Sequence, residues 1–342
     1  MNNWLLTFFC LLGLAFLAGC ANEKHAKRQE AFSKWTENNG KIKVLSTTAM
    51  INDLVQGVGK EHVDALTLIQ GGLDPHSYQL VKGDDEKLMY AQVIFYNGLG
   101  LEHGPSLKRY LNDNSKAFAL GDGVEKQGNA FIIYVNGQKD PHIWMDISLW
   151  SKTVPLIVEH LSRQDPAHAE VFQSNAEELL REMAQVHEEV KRMMHEVPSK
   201  KRYLVTSHDA FNYFARAYLS EESEYENGEW SKRFAAPEGL APESQLSALD
   251  IKTIIDYLDT HQITLVFPES NVSRDSIRKI IQAGQKKGLN VQMASCVLYG
   301  DAMGPPGSEA DTYLKMIHCN ARALAENMEG KVITMNENVI GL

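Results

Sequence analysis

Apolar and polar residues are arranged along the chain in short blocks, and strand-like blocks alternate with helix-like ones. Residues 41–47 (KIKVLST) and 62–68 (HVDALTL) have the pattern of strands, and residues 48–57 between them have that of a helix. Because such alternation is typical of parallel strands joined by helices, it predicts an α/β fold with a parallel sheet covered by helices. The pattern also predicts helices at 84–90 and 104–111 and a strand at 93–96.

One segment does not follow this alternation of strands and helices. Residues 165–197 contain no glycine and only one proline, Pro166, which with Asp165 is typical of a helix start, while Pro198 marks its end. At 1.5 Å per residue this segment gives a helix of about 48 Å, which predicts one long rigid connection. A second series of elements follows, with strands at 202–206, 264–267 and 291–294, helices at 210–216, 250–260 and 273–285, and a charged loop at 221–245.

The first forty residues have a different character. Residues 4–16 are apolar except for Thr7 and Gly13, too short for a membrane span, and small residues then precede Cys20. This pattern predicts a signal peptide at 1–19, lipidation of Cys20, and a lipid anchor and polar tether at 20–40. Because the start contains no Lys or Arg, an uncleaved anchor helix is the alternative. Both interpretations place the rest outside the cytoplasm, on a bacterial membrane.

Length and charge indicate the number of lobes and exclude one class of ligand. The 342 residues exceed the ~250 at which single cores stop growing, so we predict two lobes, at 41–164 and 198–342, on either side of the 165–197 helix. The 34 Lys and Arg against 44 Asp and Glu give a net charge of −10. This balance excludes the basic surface that nucleic-acid binding requires.

The cysteines fit an extracytoplasmic protein. Of the four, Cys10 lies in the signal peptide and Cys20 is the lipidation site, which leaves Cys296 and Cys319. In an oxidising compartment two remaining cysteines are a natural pair, so a disulfide between them is predicted. Two free buried thiols are the alternative.

Three of the twelve histidines lie where open α/β sheets place their binding residues. His76 and His142 each end an Asp-Pro-His tripeptide, and His208 follows the strand predicted at 202–206. Each one alone could be a capping or packed histidine. The repeated tripeptide, together with a third histidine after a strand, favours a shared binding site, whereas the other histidines lack such a context.

Asp301 is the fourth candidate. It lies in a loop after a strand, between Gly300 and Gly304, and an ordinary turn aspartate is the alternative. Three neutral imidazoles and one carboxylate would form a four-group cage for a borderline divalent ion such as Zn²⁺, and the carboxylate keeps Mn²⁺ and Fe²⁺ possible.

In the order of these motifs the chain resembles the metal-binding lipoproteins of bacterial ABC importers, the solute-binding proteins for zinc, manganese and sometimes iron. The matching stretches extend over residues 44–335 and include Asp53-Leu54, both Asp-Pro-His tripeptides, 96–102 (YNGLGLE), 207–211 (SHDAF), 267–269 (FPE) and 301–304 (DAMG). Some zinc members carry a His-rich acidic loop, which residues 121–140 lack, and one manganese branch has a carboxylate at the place of His208.

The resemblance implies both an architecture and a function. It implies two α/β lobes, each with a mostly parallel sheet, joined by the long helix, and one metal ion in the cleft as the transported ligand. The ion would be delivered to an ABC permease with a cytoplasmic ATPase by a monomer in the periplasm or at the cell surface. The implied ligands are His76 and His142 from the first lobe and His208 and Asp301 from the second, with Glu269 and Asp146 as candidates to support the histidines.

Two other functions are open at this point. A metallohydrolase needs an open coordination position and a general base, whereas Asp301 would close this site. A zincin motif beginning at His187 is incomplete because Lys191 stands at its second histidine. We therefore predict that the protein is not an enzyme.

A surface adhesin with a structural metal site is the other alternative. Tight metal binding at one site would distinguish an importer component from such an adhesin.

Overall fold

The computed structural model describes residues 32–128, 132–242 and 246–329. The predicted signal peptide and the lipidation site at Cys20 lie outside these residues. Within the described ranges, no helix combines the length and the apolar character that a membrane crossing requires.

The first lobe is built on a four-stranded parallel sheet in the order β2-β1-β3-β4. The inner strand Ile42–Ser46 is buried at all five positions, of which Ile42, Val44 and Leu45 are apolar. The strands are β1 (Ile42–Ser46), β2 (Val63–Thr67), β3 (Val93–Tyr96) and β4 (Ala117–Ala119). The helices are α1 (Ala49–Gly59), α2 (Asp84–Tyr90), α3 (Pro105–Asn112) and α4 (Leu120–Gln127), so the predicted alternation is confirmed.

A short hairpin and two helices complete this lobe and lead to the long helix. The antiparallel hairpin turns at Asn136 and Gly137, which both have positive φ as a type I′ turn requires. The elements are β5 (Tyr134–Val135), β6 (Gln138–Lys139), α5 (Ile147–Trp150) and α6 (Val154–Gln164).

The long connecting helix is α7 (Ala169–Glu196), 28 residues and about 42 Å in length. It begins four residues later than predicted, because Pro166–His168 forms a separate 3-10 turn. One stripe of α7, which includes Phe172, Met183 and Val190, is fully buried. Through this stripe α7 packs against α1 and α6 of the first lobe and against the last described helix, α12 (Tyr313–Glu329).

The second lobe contains two parallel strand pairs, Leu204–Val205 with Phe234–Ala235 and Leu265–Val266 with Gln292–Met293. The Phe267 N–H donates to the Val205 carbonyl oxygen at 2.9 Å and brings the two pairs side by side. The segment 221–245, predicted as a loop, contains a short helix and a strand. The elements are β7 (Leu204–Val205), α8 (Asn212–Phe214, continued by a π-helical turn), α9 (Glu222–Asn227), β8 (Phe234–Ala235), α10 (Ala248–Thr260), β9 (Leu265–Val266), α11 (Asp275–Lys286) and β10 (Gln292–Met293).

Buried hydrogen bonds connect the two lobes directly. The Trp144 indole N–H of the first lobe donates to the Gly300 carbonyl oxygen at 2.9 Å, and the Tyr313 hydroxyl donates to the Trp144 carbonyl oxygen at 2.7 Å. The Tyr213 hydroxyl donates to the Asp140 carbonyl oxygen at 2.9 Å. These bonds fix the segment that follows the second Asp-Pro-His tripeptide against the second lobe.

The predicted disulfide is absent, because Cys296 and Cys319 are both free and half-buried. The Asn327 side-chain amide lies 3.5 Å from the Cys296 sulfur. Asn327 is eight residues beyond Cys319 on α12, about 12 Å along the helix axis. Cys296 therefore packs against α12 without a bond to Cys319.

We expect Tyr313→Phe to lower the free energy of unfolding by about 1–3 kcal/mol, because it leaves the buried Trp144 carbonyl oxygen without its donor. Urea denaturation measures the change. Tyr134→Phe is the matched control, since its hydroxyl bonds to Glu125 at the surface, and we expect a change within about 0.5 kcal/mol. Equal effects of the two substitutions would contradict the role of Tyr313 between the lobes.

Candidate metal centre

His76 is held in a loop that follows β2. Its backbone N–H donates to Asp74 Oδ1 at 2.8 Å, the local turn that an Asp at this spacing forms. Its carbonyl oxygen accepts the N–H groups of His103 and Gly104 at 3.2 and 3.1 Å. The first Asp-Pro-His tripeptide therefore fixes the backbone of His76 and directs its ring into the cleft.

The second tripeptide orients an imidazole as well as a backbone. Asp140 Oδ1 accepts the backbone N–H of His142 at 2.9 Å and lies 2.7 Å from its ring Nδ1. The Asn212 amide of the second lobe holds the other oxygen of Asp140 at 2.9 Å. Because Nδ1 is engaged, Nε2 of His142 is the nitrogen left to face the cleft.

His208 has an equivalent partner in Glu269. Glu269 Oε1 accepts the backbone N–H groups of Ser207 and His208, both at 2.9 Å, and Oε2 lies 2.7 Å from Nδ1 of His208. Glu269 follows β9, next to the strand β7 that leads to His208, and its backbone pairs with Leu298. Adjacent strands therefore place this carboxylate behind the imidazole.

The four candidate ligands meet at one point between the lobes. The Nε2 atoms of His76 and His142 are 3.2 Å apart. Asp301 Oδ2 lies 3.1 Å from Nε2 of His208 and 3.6 Å from that of His76, and Asp301 Oδ1 lies 3.4 Å from Nε2 of His142. A tetrahedral ion with bonds of 2.0–2.1 Å spaces its ligand atoms about 3.3 Å apart. The side chains thus already have the spacing of a four-coordinate metal site.

All four residues are at most 3% exposed, so their charges interact strongly. Burial lowers the pKa of His76 well below its usual value, despite the nearby Asp301. For His142 the lowering by burial is outweighed by Asp140 and Asp301, which raise its pKa to about 9. Glu269 and Asp301 likewise raise the pKa of His208 against its burial.

Asp301 responds in the opposite direction. Its burial raises its pKa, but His208 and His142 outweigh this effect and hold the pKa well below the usual value. The carboxylate is therefore ionised at neutral pH. A metal ion at this centre would replace the protons of His142 and His208 as the partner of that negative charge.

The two acidic residues predicted to support the histidines differ in position. Glu269 contacts His208, as described. The Asp146 carboxylate instead caps α5, where it accepts the Ser148 N–H at 2.9 Å and the Ser148 hydroxyl at 2.7 Å. The expectation for Asp146 is therefore corrected, and the residue behind His142 is Asp140. The signal for Asp140 was present in the tripeptide itself, two residues before the histidine.

A cavity of about 710 Å³ reaches the centre from the side of His76. His103 also lines it, and its ring centroid lies 5.7 Å from that of His76. Lys139 of the first lobe and Leu240 of the second both line it. The cavity gives the buried centre a path toward solvent between the lobes.

Two α/β lobes on one long helix, with a buried histidine and carboxylate centre between them, define a helix-linked binding protein. Residues 44–327 match the family model for zinc-uptake complex component A, periplasmic (ZnuA). The chain therefore belongs to this family.

Individual relatives are similar over nearly their whole length. The chain is 36% identical to the metal-binding protein YtgA of Chlamydia muridarum over 95% of this chain and 94% of that protein. It is 30% identical to the manganese-binding lipoprotein MntA of Bacillus subtilis over 92% and 95% of the two chains. The crystal structure of Fe(III)-bound YtgA from Chlamydia trachomatis matches with a TM-score of 0.79 and 38% identity, over 85% of this chain and 99% of that one.

Proposed function

We propose that the protein is the extracytoplasmic solute-binding component of an ABC-type metal importer. It captures one divalent transition-metal ion and delivers it to a membrane permease that a cytoplasmic ATPase drives. The observation that supports this most directly is the convergence of four buried groups at 3.1–3.6 Å. The ligands are His76, His142, His208 and Asp301.

The donor set suits more than one metal. Three imidazoles favour Zn²⁺, and the carboxylate accommodates Mn²⁺ and Fe²⁺. The metals named for the relatives vary in a similar way. One relative is named for manganese, one was crystallised with Fe(III), and the family is named for zinc. Asp140 and Glu269 engage the second nitrogens of His142 and His208, which makes both imidazoles better ligands.

Binding fits the geometry better than catalysis. A catalytic metal needs a coordination position for water or substrate, whereas four protein groups already surround this centre. The family to which the chain belongs consists of uptake components. All four ligands come from one chain, so the protein needs no second copy to complete the site and functions as a monomer.

Attachment to the membrane is proposed through lipid on Cys20. The apolar segment and small residues before Cys20 support it, and one relative is named a lipoprotein. The polar residues that follow then separate the lipid from the first lobe. This tether is shorter than the predicted 20–40, because Trp35 is buried against the first lobe and donates its indole N–H to the Asp64 carbonyl oxygen at 2.8 Å.

We expect His208→Ala to abolish tight metal binding, since it removes one of four ligands and leaves Glu269 without its imidazole. Competition with a chromophoric chelator measures affinity, and elemental analysis measures stoichiometry. His195→Ala, an exposed histidine on α7, is the matched control and should retain one ion per chain. Unaltered affinity in His208→Ala would refute the assignment of the centre.

Asp74 and Asp140 each begin an Asp-Pro-His tripeptide, so the effects of substituting them can be compared directly. We expect Asp140→Asn to weaken metal binding about 10- to 100-fold, because the carboxylate that orients His142 is lost. Asp74→Asn should have a smaller effect, since Asp74 holds the backbone of His76. Both affinities come from the same competition assay, and a larger loss in Asp74→Asn would contradict the orienting role of Asp140.

We expect the native protein to carry acyl chains on Cys20 and Cys20→Ala to carry none. Mass spectrometry of protein isolated from membranes detects the modification, and fractionation shows release of the variant. Acyl chains that persist in Cys20→Ala would contradict the anchor. Metal affinity provides the control, since it should be equal in both proteins.

A further inference from the structure

A second group of metal-binding side chains lies outside the cleft, where the first lobe meets α7. His62 ends the 3-10 turn Lys60–His62, which leads directly into β2. Asp165 and His168 lie at the two ends of the 3-10 turn before α7. Two segments about a hundred residues apart in sequence therefore bring two imidazoles and a carboxylate to one surface.

These three side chains lie close together. The ring centroids of His62 and His168 are 4.0 Å apart with the planes tilted by 31°. Asp165 Oδ2 lies 2.6 Å from Nδ1 of His168, and one ligand atom of each residue lies within 4.8 Å of the others.

We propose that His62, Asp165 and His168 form a second site for a divalent transition-metal ion, open to solvent. Two imidazoles and a carboxylate suit zinc and copper ions, and water would complete the coordination. This site goes beyond the proposed transport function, because it shares no residue with the cleft.

The required rearrangement is small. Ligand atoms at most 4.8 Å apart must come to about 3.3 Å, a shift of about 1.5 Å or less. The side chains of His62, Asp165 and His168 are 22%, 24% and 42% exposed. Because His62 packs edge-on against the buried Phe172, most of the movement falls to Asp165 and His168. The ion would take the place of the proton between Asp165 and His168.

This site should bind more weakly than the cleft. It has three protein ligands instead of four, and they are exposed and must move, whereas the cleft ligands are buried at coordination spacing. Its position also gives it a structural effect. It would tie the turn before β2 to the start of α7, near the exposed ion pair of Lys60 with Glu178. An ion there would hold the long helix against the first lobe.

The test uses tag-free full-length mature protein whose central site is already filled with Zn²⁺. Calorimetric titration with further Zn²⁺ should show one additional, weaker equivalent per chain. With Cu²⁺ as the probe, electron paramagnetic resonance should show coupling to two imidazole nitrogens. His168→Ala and His62→Ala should each weaken the additional equivalent at least tenfold and leave the central equivalent unchanged.

His195→Ala is the matched control, since it removes an exposed histidine of α7 outside the cluster and should keep both equivalents. His168→Gln retains a polar side chain of similar size and should also lose the additional equivalent, which separates loss of a ligand from a local packing defect. Wild-type protein without an additional equivalent would overturn the proposal. An additional equivalent that survives both His168 substitutions would overturn it as well.

Discussion

The structure depends on keeping six ionisable groups buried together between two lobes. Removing charges from water is costly unless each one has a partner, and here three carboxylates are interleaved with three imidazoles. Asp301 lies at the centre, and Asp140 and Glu269 lie behind two of the histidines. Because backbone N–H groups and the Asn212 amide hold these outer carboxylates, the charge arrangement is fixed before any ion binds.

The connection between the lobes follows from the same requirement. His76 and His142 belong to the first lobe, and His208 and Asp301 to the second, so the distance between the lobes sets the coordination geometry. An uninterrupted helix of 28 residues has no proline or glycine hinge, and the buried bonds of Trp144 add contacts near the centre. This construction maintains spacings of 3.4 and 3.6 Å between Asp301 of the second lobe and the ring nitrogens of His142 and His76 of the first.

The sequence was informative about ligands and less so about their supports. A repeated tripeptide and strand ends are local signals, and they led to all four residues that the structure brings together. Asp140 and Asp146 both lie close to His142 in sequence, and only the fold shows which carboxylate faces its imidazole. The Asn212 amide that holds Asp140 comes from the second lobe, which no local pattern records. His62 and His168 lie in short turns without periodicity, so only the packing of α7 reveals that they meet. The predicted disulfide was wrong because a count of cysteines does not record where the fold places each sulfur.

The position of Asp301 suggests where an ion can be released. Its two oxygens lie within 3.6 Å of all three histidine nitrogens, so a shift of its loop loosens its contacts with all three histidines at once. The neighbouring Gly300 is tightly fitted, since a Cβ there would lie 2.3 Å from Glu269 Oε2, and its carbonyl oxygen accepts the Trp144 bond. A permease that displaced this loop would separate Asp301 from the histidines without bending the long helix, which reconciles a stiff connection with release of a buried ion.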